Sequence, residues 1–82
     1  MAIKYPFITE KATIQLEEEN KLQLIVDINA TKNHIRTEVE DIYGFEVARV
    51  RTMITPTGKK KAILAFTDGN AASEIATRIG LF

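Results

Sequence analysis

The sequence predicts an α+β fold, a small and mainly antiparallel β-sheet packed with helices in the order β-α-β-α-β-β-α. Three observations carry that prediction. Apolar residues alternate with period two over Leu22 to Ile28, Phe45 to Ile54 and Lys61 to Phe66. They recur at spacings of three and four after Thr31 and after Asn70. Turn-forming residues fall between these stretches and not inside them.

Taken in order, Ile3 to Tyr5 reads as a short edge strand stopped at Pro6, which lacks the donor that a central strand needs. Thr9 is placed to cap a first helix running to about Glu19, with Glu10 near the positive end of its dipole. That helix has only Ala12 and Leu16 as a buried row and ends on Glu17-Glu18-Glu19, so it is expected to be short and superficial. Leu22, Leu24, Val26 and Ile28 alternate with Gln23, Ile25 and Asp27, as in a strand with one face on a core. A second helix follows, with Thr31 as a cap, Ile35, Val39 and Ile42 as its buried stripe, and Gly44 as its left-handed stop. The next strand is expected to place Ala48, Val50, Thr52 and Ile54 on one side and Val47, Arg49, Arg51 and Met53 on the other. Pro56-Thr57-Gly58 turns the chain into a return strand with Ala62, Leu64 and Phe66 inward, forming a hairpin. After Asp68-Gly69-Asn70 a final helix buries Ala71, Ala72, Ile75, Ala76 and Ile79; Gly80 ends it, leaving Leu81 and Phe82 as an apolar tail.

A chain of 82 residues supports one core, so residues 1–82 are expected to form a single domain without a deep enclosed active site. With no Cys and one His, a disulfide scaffold, a thiolate zinc site, a cysteine nucleophile and a multi-histidine metal centre are excluded. His34 has no partner spacing and reads as a surface residue, and Thr57-Gly58-Lys59 is too short for a phosphate loop. A binding module, with no cofactor, no small-molecule substrate and no enzymatic activity, is the expectation. The start of the chain lacks a signal-peptide core and no apolar run reaches the ~20 residues of a membrane span, so a soluble, intracellular protein is expected.

Eleven Lys plus Arg balance eleven Asp plus Glu, a net charge of zero that argues against a polyanionic partner unless the charges are sorted by position. Acidic residues collect at Glu17 to Glu19 and at Glu38, Glu40 and Asp41; basic ones at Lys4, Lys11, Lys32, Arg36, Arg49, Arg51 and Lys59 to Lys61. Cations in the first turns of a helix oppose its dipole by about 0.3–1 kcal/mol each, so local stability did not select Lys32 and Arg36. Four apart, they share a face that suits a phosphate, or else form an ordinary solvated face. Arg49 and Arg51 project on one side of a strand, and Lys59 to Lys61 serve either an anion or edge protection against aggregation. The aromatic residues are not spaced as the stacking pair of an RNA-binding sheet, and core packing is the expected role of most of them.

Four segments carry a family resemblance. Pro6-Phe7-Ile8-Thr9-Glu10-Lys11-Ala12 resembles the P-x-(I/V)-(T/S)-E-K-A opening of the large-subunit ribosomal protein L twenty-three family. The segment from Ala30 to Glu40 is similar to its A-x-K-x-x-I-(K/R)-x-x-V-E helix, Val47 to Thr52 to its V-x-x-V-N-T strand, and Lys60 to Leu64 to its K-K-A-Y-V strand. Ala76 to Gly80 resembles the end of archaeal members. The resemblance implies a structural constituent of the large ribosomal subunit that binds ribosomal RNA beside the nascent-chain tunnel exit, in the cytoplasm and bound to the ribosome. It implies neighbouring ribosomal proteins, the signal recognition particle and the protein-conducting channel as partners. Carried over by position, Thr9, Lys11, Lys32, Arg36, Arg51, Thr52, Lys60 and Lys61 are the expected RNA contacts, and Glu10 the acid offered to factors at the exit.

Two departures from the family pattern stand out. Arg51 replaces the Asn of the strand motif, which turns an amide contact into a phosphate contact, and the hairpin between Thr52 and Lys59 is short, unlike the extended hairpin of bacterial members. The alternative from a different class is a small α+β protein-interaction or ligand-sensing domain, motivated by the neutral charge. A small phosphate-handling enzyme would need a cradle of backbone amides, and no glycine-rich loop supplies one.

Overall fold

Four stretches that contain no carboxylate, β1 (Ile3–Pro6), β2 (Lys21–Val26), β3 (Val47–Ile54) and β4 (Lys60–Phe66), pair into one antiparallel sheet in the order β1-β2-β4-β3. The computed structural model describes residues 2–79, so Gly80, Leu81 and Phe82 lie outside the described residues. Helices α1 (Glu10–Glu19), α2 (Lys32–Tyr43) and α3 (Ala71–Arg78) complete the order β-α-β-α-β-β-α, the α+β fold that the periodicities predict. From β2 to α3 the succession is that of the split βαβ, ferredoxin-like unit, and β1 takes the edge beside β2 where that unit has its last strand.

Alternation along β2 and β4 turns Leu22, Leu24, Val26, Ala62, Leu64 and Phe66 to one side. Leu16 of α1, Ile35 and Val39 of α2, and Ala71, Ala72, Ile75 and Ala76 of α3 close over them in a single core. All three helices therefore cover the same face of the sheet. The expected stripe of α2 differs at its end: Ile42 is exposed, and Tyr43, at four residues beyond Val39, packs on the core instead. Ile28 is exposed too, because β2 stops at Val26, and Asp27 starts a turn whose carboxylate accepts the Asn29 N–H at 2.8 Å.

The phase of β3 departs from strict alternation. Val47 is paired with Phe66 and Arg49 with Ala65, the two neighbours on β4, so Ala48 is an extra residue in a β-bulge. The bulge moves Val47 to the core side, where it joins Val50, while Arg49 and Arg51 stay on the opposite side. The sequence reading, which grouped Val47 with the arginines, is corrected by that single unpaired residue. Edge protection as the role of Lys60 and Lys61 is corrected as well, because β4 lies between β2 and β3 and has no free edge.

Polar side chains join the elements at their ends. Thr9 and Thr31 cap α1 and α2, accepting the N–H of Ala12 at 3.0 Å and of His34 at 3.1 Å. Gly44 ends α2 with φ 78°. Asn20 ends α1 in the left-handed conformation, with φ 56°, and its side chain reaches the other end of the chain. There it donates to the Asp68 carbonyl at 2.6 Å and accepts the Ala72 N–H at 3.0 Å, which supplies α3 with the cap that the Asn70 side chain does not form. Glu38 accepts the N–H groups of Ala2 at 3.0 Å and Ile3 at 2.8 Å, fastening the first strand to α2, and Glu40 accepts the N–H of Val47 at 2.8 Å.

Burial alone would raise the Glu38 carboxyl. The N–H donors of Ile3 and Ala2, with His34 4.0 Å away, outweigh it and hold the group below the ordinary glutamate value. A depressed folded-state value stabilises the fold above the unfolded-state pKa, and that contribution is lost as pH falls through the folded one. Glu38→Ala is expected to lower unfolding stability by about 1–3 kcal/mol at neutral pH in urea titrations, since two partly buried donors lose their acceptor. Repeated toward acid pH, the titrations should bring wild type and variant closer together.

Candidate nucleic-acid interface

Cross-strand partners in an antiparallel sheet share a face, so the register defines the surface opposite the helices. One row runs Lys21, Ala65, Arg49; the next Gln23, Ile63, Arg51; the third Tyr5, Ile25, Lys61, Met53. Phe7 continues the ladder beyond β1, donating its N–H to the Gln23 carbonyl at 3.0 Å. No helix lies over the Arg49 and Arg51 side of this surface, where both arginines are exposed and Lys21, Ala48, Ile63 and Ala65 line a shallow depression with them. At the other side α1 reaches round the edge. Gln23, expected to face solvent, is buried there, its amide donating to the Gln15 side chain of α1.

The charges sort by type of element. The strands hold Lys4, Lys21, Arg49, Arg51, Lys60 and Lys61 and no acid, whereas every Asp and Glu of the sequence lies in a helix or a loop. Among the described residues, the cation of the open face that is ion-paired is Lys21, with Glu19 at 3.2 Å. Lys61 lies 4.7 Å from the centroid of the Phe7 ring, and Lys59 donates to the Tyr5 hydroxyl at 2.7 Å while lying 5.4 Å from that ring's centroid. Those contacts leave the ammonium groups at the surface and able to meet an anion.

The expected contact residues fall in three places. Arg51 and Lys61 meet on the open face, together with Arg49. Lys32 and Arg36 stand four apart in the first turns of α2; Lys32 is exposed, and the Arg36 Nε is buried without a hydrogen-bond partner. Thr9, Glu10 and Lys11 form the start of α1, directly after Phe7. Three of the expected contacts already have work inside the fold. The Thr9 hydroxyl is the α1 cap, Lys60 donates to the Ala30 carbonyl at 2.7 Å just ahead of α2, and Thr52, half-buried, pairs with Ala62.

Sequence reasoning gave Tyr5 and Phe7 no part in a binding surface. Tyr5 is 42% exposed, and both rings reach the open face from the edge strand. Their signal was present as two aromatics two residues apart in a strand, obscured by the proline between them. Among the described residues no group of three His, Asp or Glu is arranged to hold a metal ion, and no helix is long and apolar enough to cross a membrane.

Residues 1–73 match the model of the family described as Ribosomal protein L23. A large ribosomal subunit protein uL23 of Methanococcoides burtonii is 55% identical over 80 residues, covering 98% of this chain and 96% of that protein. The protein of the same name from Haloquadratum walsbyi is 46% identical, with 98% and 95% covered, and that of Methanospirillum hungatei is 42% identical, with 99% of each covered. The similarity spans every strand and helix that builds the open face, and the chain therefore belongs to the ribosomal protein L23 family.

Proposed function

We propose that the chain is a non-catalytic constituent of the large ribosomal subunit that binds ribosomal RNA beside the nascent-chain tunnel exit, with Arg49, Arg51 and Lys61 of the open sheet face as its principal phosphate contacts. The observation that carries this reading is the sorting of charge: the strands present cations and no carboxylate, so a chain of zero net charge still offers a locally positive surface. Each neutralised phosphate releases counterions, which supplies sequence-independent affinity, while the sheet holds the cations in fixed register.

Lys32 and Arg36 form a second contact at the start of α2, where the first turn also presents free backbone N–H groups. Lys11 flanks the first site. Thr9, Thr52 and Lys60 act mainly by holding the backbone in place, since their polar atoms are engaged or half-buried. Exposed Glu10 faces outward from the first turn of α1 and serves the docking of targeting factors, the signal recognition particle and the protein-conducting channel among them. Neighbouring ribosomal proteins complete the environment of a ribosome-bound, cytoplasmic protein. The fold adds an analogy: RNA-recognition modules of split βαβ type also use the open face of a four-stranded sheet.

The test is the salt dependence of binding to large-subunit RNA. The double variant Arg49→Gln, Arg51→Gln is expected to flatten the slope of log affinity against log salt by up to about two phosphates' worth. Its unfolding stability should stay within about 0.5 kcal/mol of wild type, both side chains being exposed. An unchanged slope would remove the open face from the RNA contact. Lys60→Ala should behave in the opposite way, losing about 1–2 kcal/mol in urea unfolding because the Ala30 carbonyl loses a charged donor, with a smaller effect on the slope.

A further inference from the structure

At the hairpin end of the open face, Tyr5, Phe7, Ile25, Met53, Ile54 and Pro56 line a continuous groove whose polar rim is made by Lys59, Lys61 and the hydroxyls of Thr55 and Thr57. Much of its apolar surface stands in solvent: Tyr5 is 42%, Met53 46% and Ile54 59% exposed. We infer that this groove receives unpaired nucleotides of the bound RNA, their bases lying against Tyr5, Phe7 and Met53 and their phosphates taken by Lys59 and Lys61. The inference rests on the proposed RNA-binding function and adds to it the form of the RNA.

Charge and chemistry select this occupant. Among the described residues no carboxylate lines the groove, and its two ammonium groups, that of Lys61 beside the Phe7 ring and that of Lys59 on the Tyr5 hydroxyl, have no counter-ion. An apolar protein segment seated here would leave both cations desolvated and unneutralised. A paired duplex would set its phosphates against Met53 and Ile54 and keep its base faces stacked inside. Unpaired nucleotides satisfy both demands, because each base has an apolar face for the groove and each phosphate a charge for the rim. Tyr5 and Phe7, two residues apart along the edge of the sheet, both line the groove and offer it two aromatic side chains. The groove also joins the Arg51 row directly through Lys61 and Met53, so one RNA chain can follow both.

The full chain is to be titrated with a short oligouridylate carrying one central 2-aminopurine, and with an RNA duplex of equal length. The single strand is expected to bind more tightly than the duplex, with quenching of the 2-aminopurine fluorescence as the base meets a ring. Tyr5→Ala and Met53→Ala should each weaken single-strand binding by about five-fold or more and reduce the quenching, while Tyr5→Phe retains both. Arg49→Gln with Arg51→Gln should weaken binding yet leave the quenching of the bound strand intact. If Tyr5→Ala and Met53→Ala bind and quench as wild type, the groove assignment falls and the RNA-binding reading stands; if neither RNA form binds, both fall. In subunits carrying a photoreactive phenylalanine analogue at position 5, a cross-link to RNA supports the assignment, and a cross-link to protein alone overturns it in favour of a protein occupant.

Discussion

Everything in this fold is positioned from β4, the one strand that both long neighbours need. It is hydrogen-bonded to β2 along one side and to β3 along the other, so its seven residues serve two faces with no edge to spare. Ala62, Leu64 and Phe66 are the floor on which the helices settle, and Lys61, Ile63 and Ala65 are the centre of the opposite face. A one-residue slip of β4 against either neighbour would exchange the two sets and bury Lys61 in the core. The pairing that makes the core is therefore the same pairing that aligns the cations, and stability and surface chemistry cannot be separated along this strand.

The carboxylates are distributed to complement that arrangement. Two acids of α2, from the acidic collection at Glu38, Glu40 and Asp41, turn inward to the backbone. Glu38 holds the first strand and Glu40 the beginning of β3. Glu10 sits at the positive end of α1, where the dipole favours it. Acids engaged in this way cannot reach across to neutralise Arg49 or Arg51, so the zero of the net charge conceals strands whose charged residues are all cations. The polar ties that assemble the sheet also keep the Glu38 and Glu40 carboxylates away from the arginines of its open face.

Much of this was legible in the residues alone. Strand alternation, the helix caps at Thr9 and Thr31 and the stop at Gly44 depend on neighbours within a few positions, and each stands where its local chemistry puts it. What escaped depends on distance along the chain or on one extra residue. Asn20 looks like an ordinary helix end, yet its side chain caps a helix fifty residues away, which no local pattern encodes. Ala48 is a small residue in a β-rich run, and nothing about it announces a bulge. Among the contact residues, Arg51 and Lys61 were legible as cations, but whether they met depended on strand order. Lys60, one position from Lys61, points instead to the loop ahead of α2.

The bulge at Ala48 has a consequence for the molecule before it meets any partner. β3 is the longest strand and lies at the margin of the sheet, with one side of its backbone unpaired, the geometry that invites a second copy to add on edge to edge. An unpaired residue near one end increases the local twist and breaks the regular run of donors and acceptors, and the two arginines that follow it repel an identical strand. The opposite margin, β1, is four residues long and closes on a proline. Both margins thus carry features that disfavour edge-to-edge pairing, in a chain whose zero net charge supplies no general repulsion between copies.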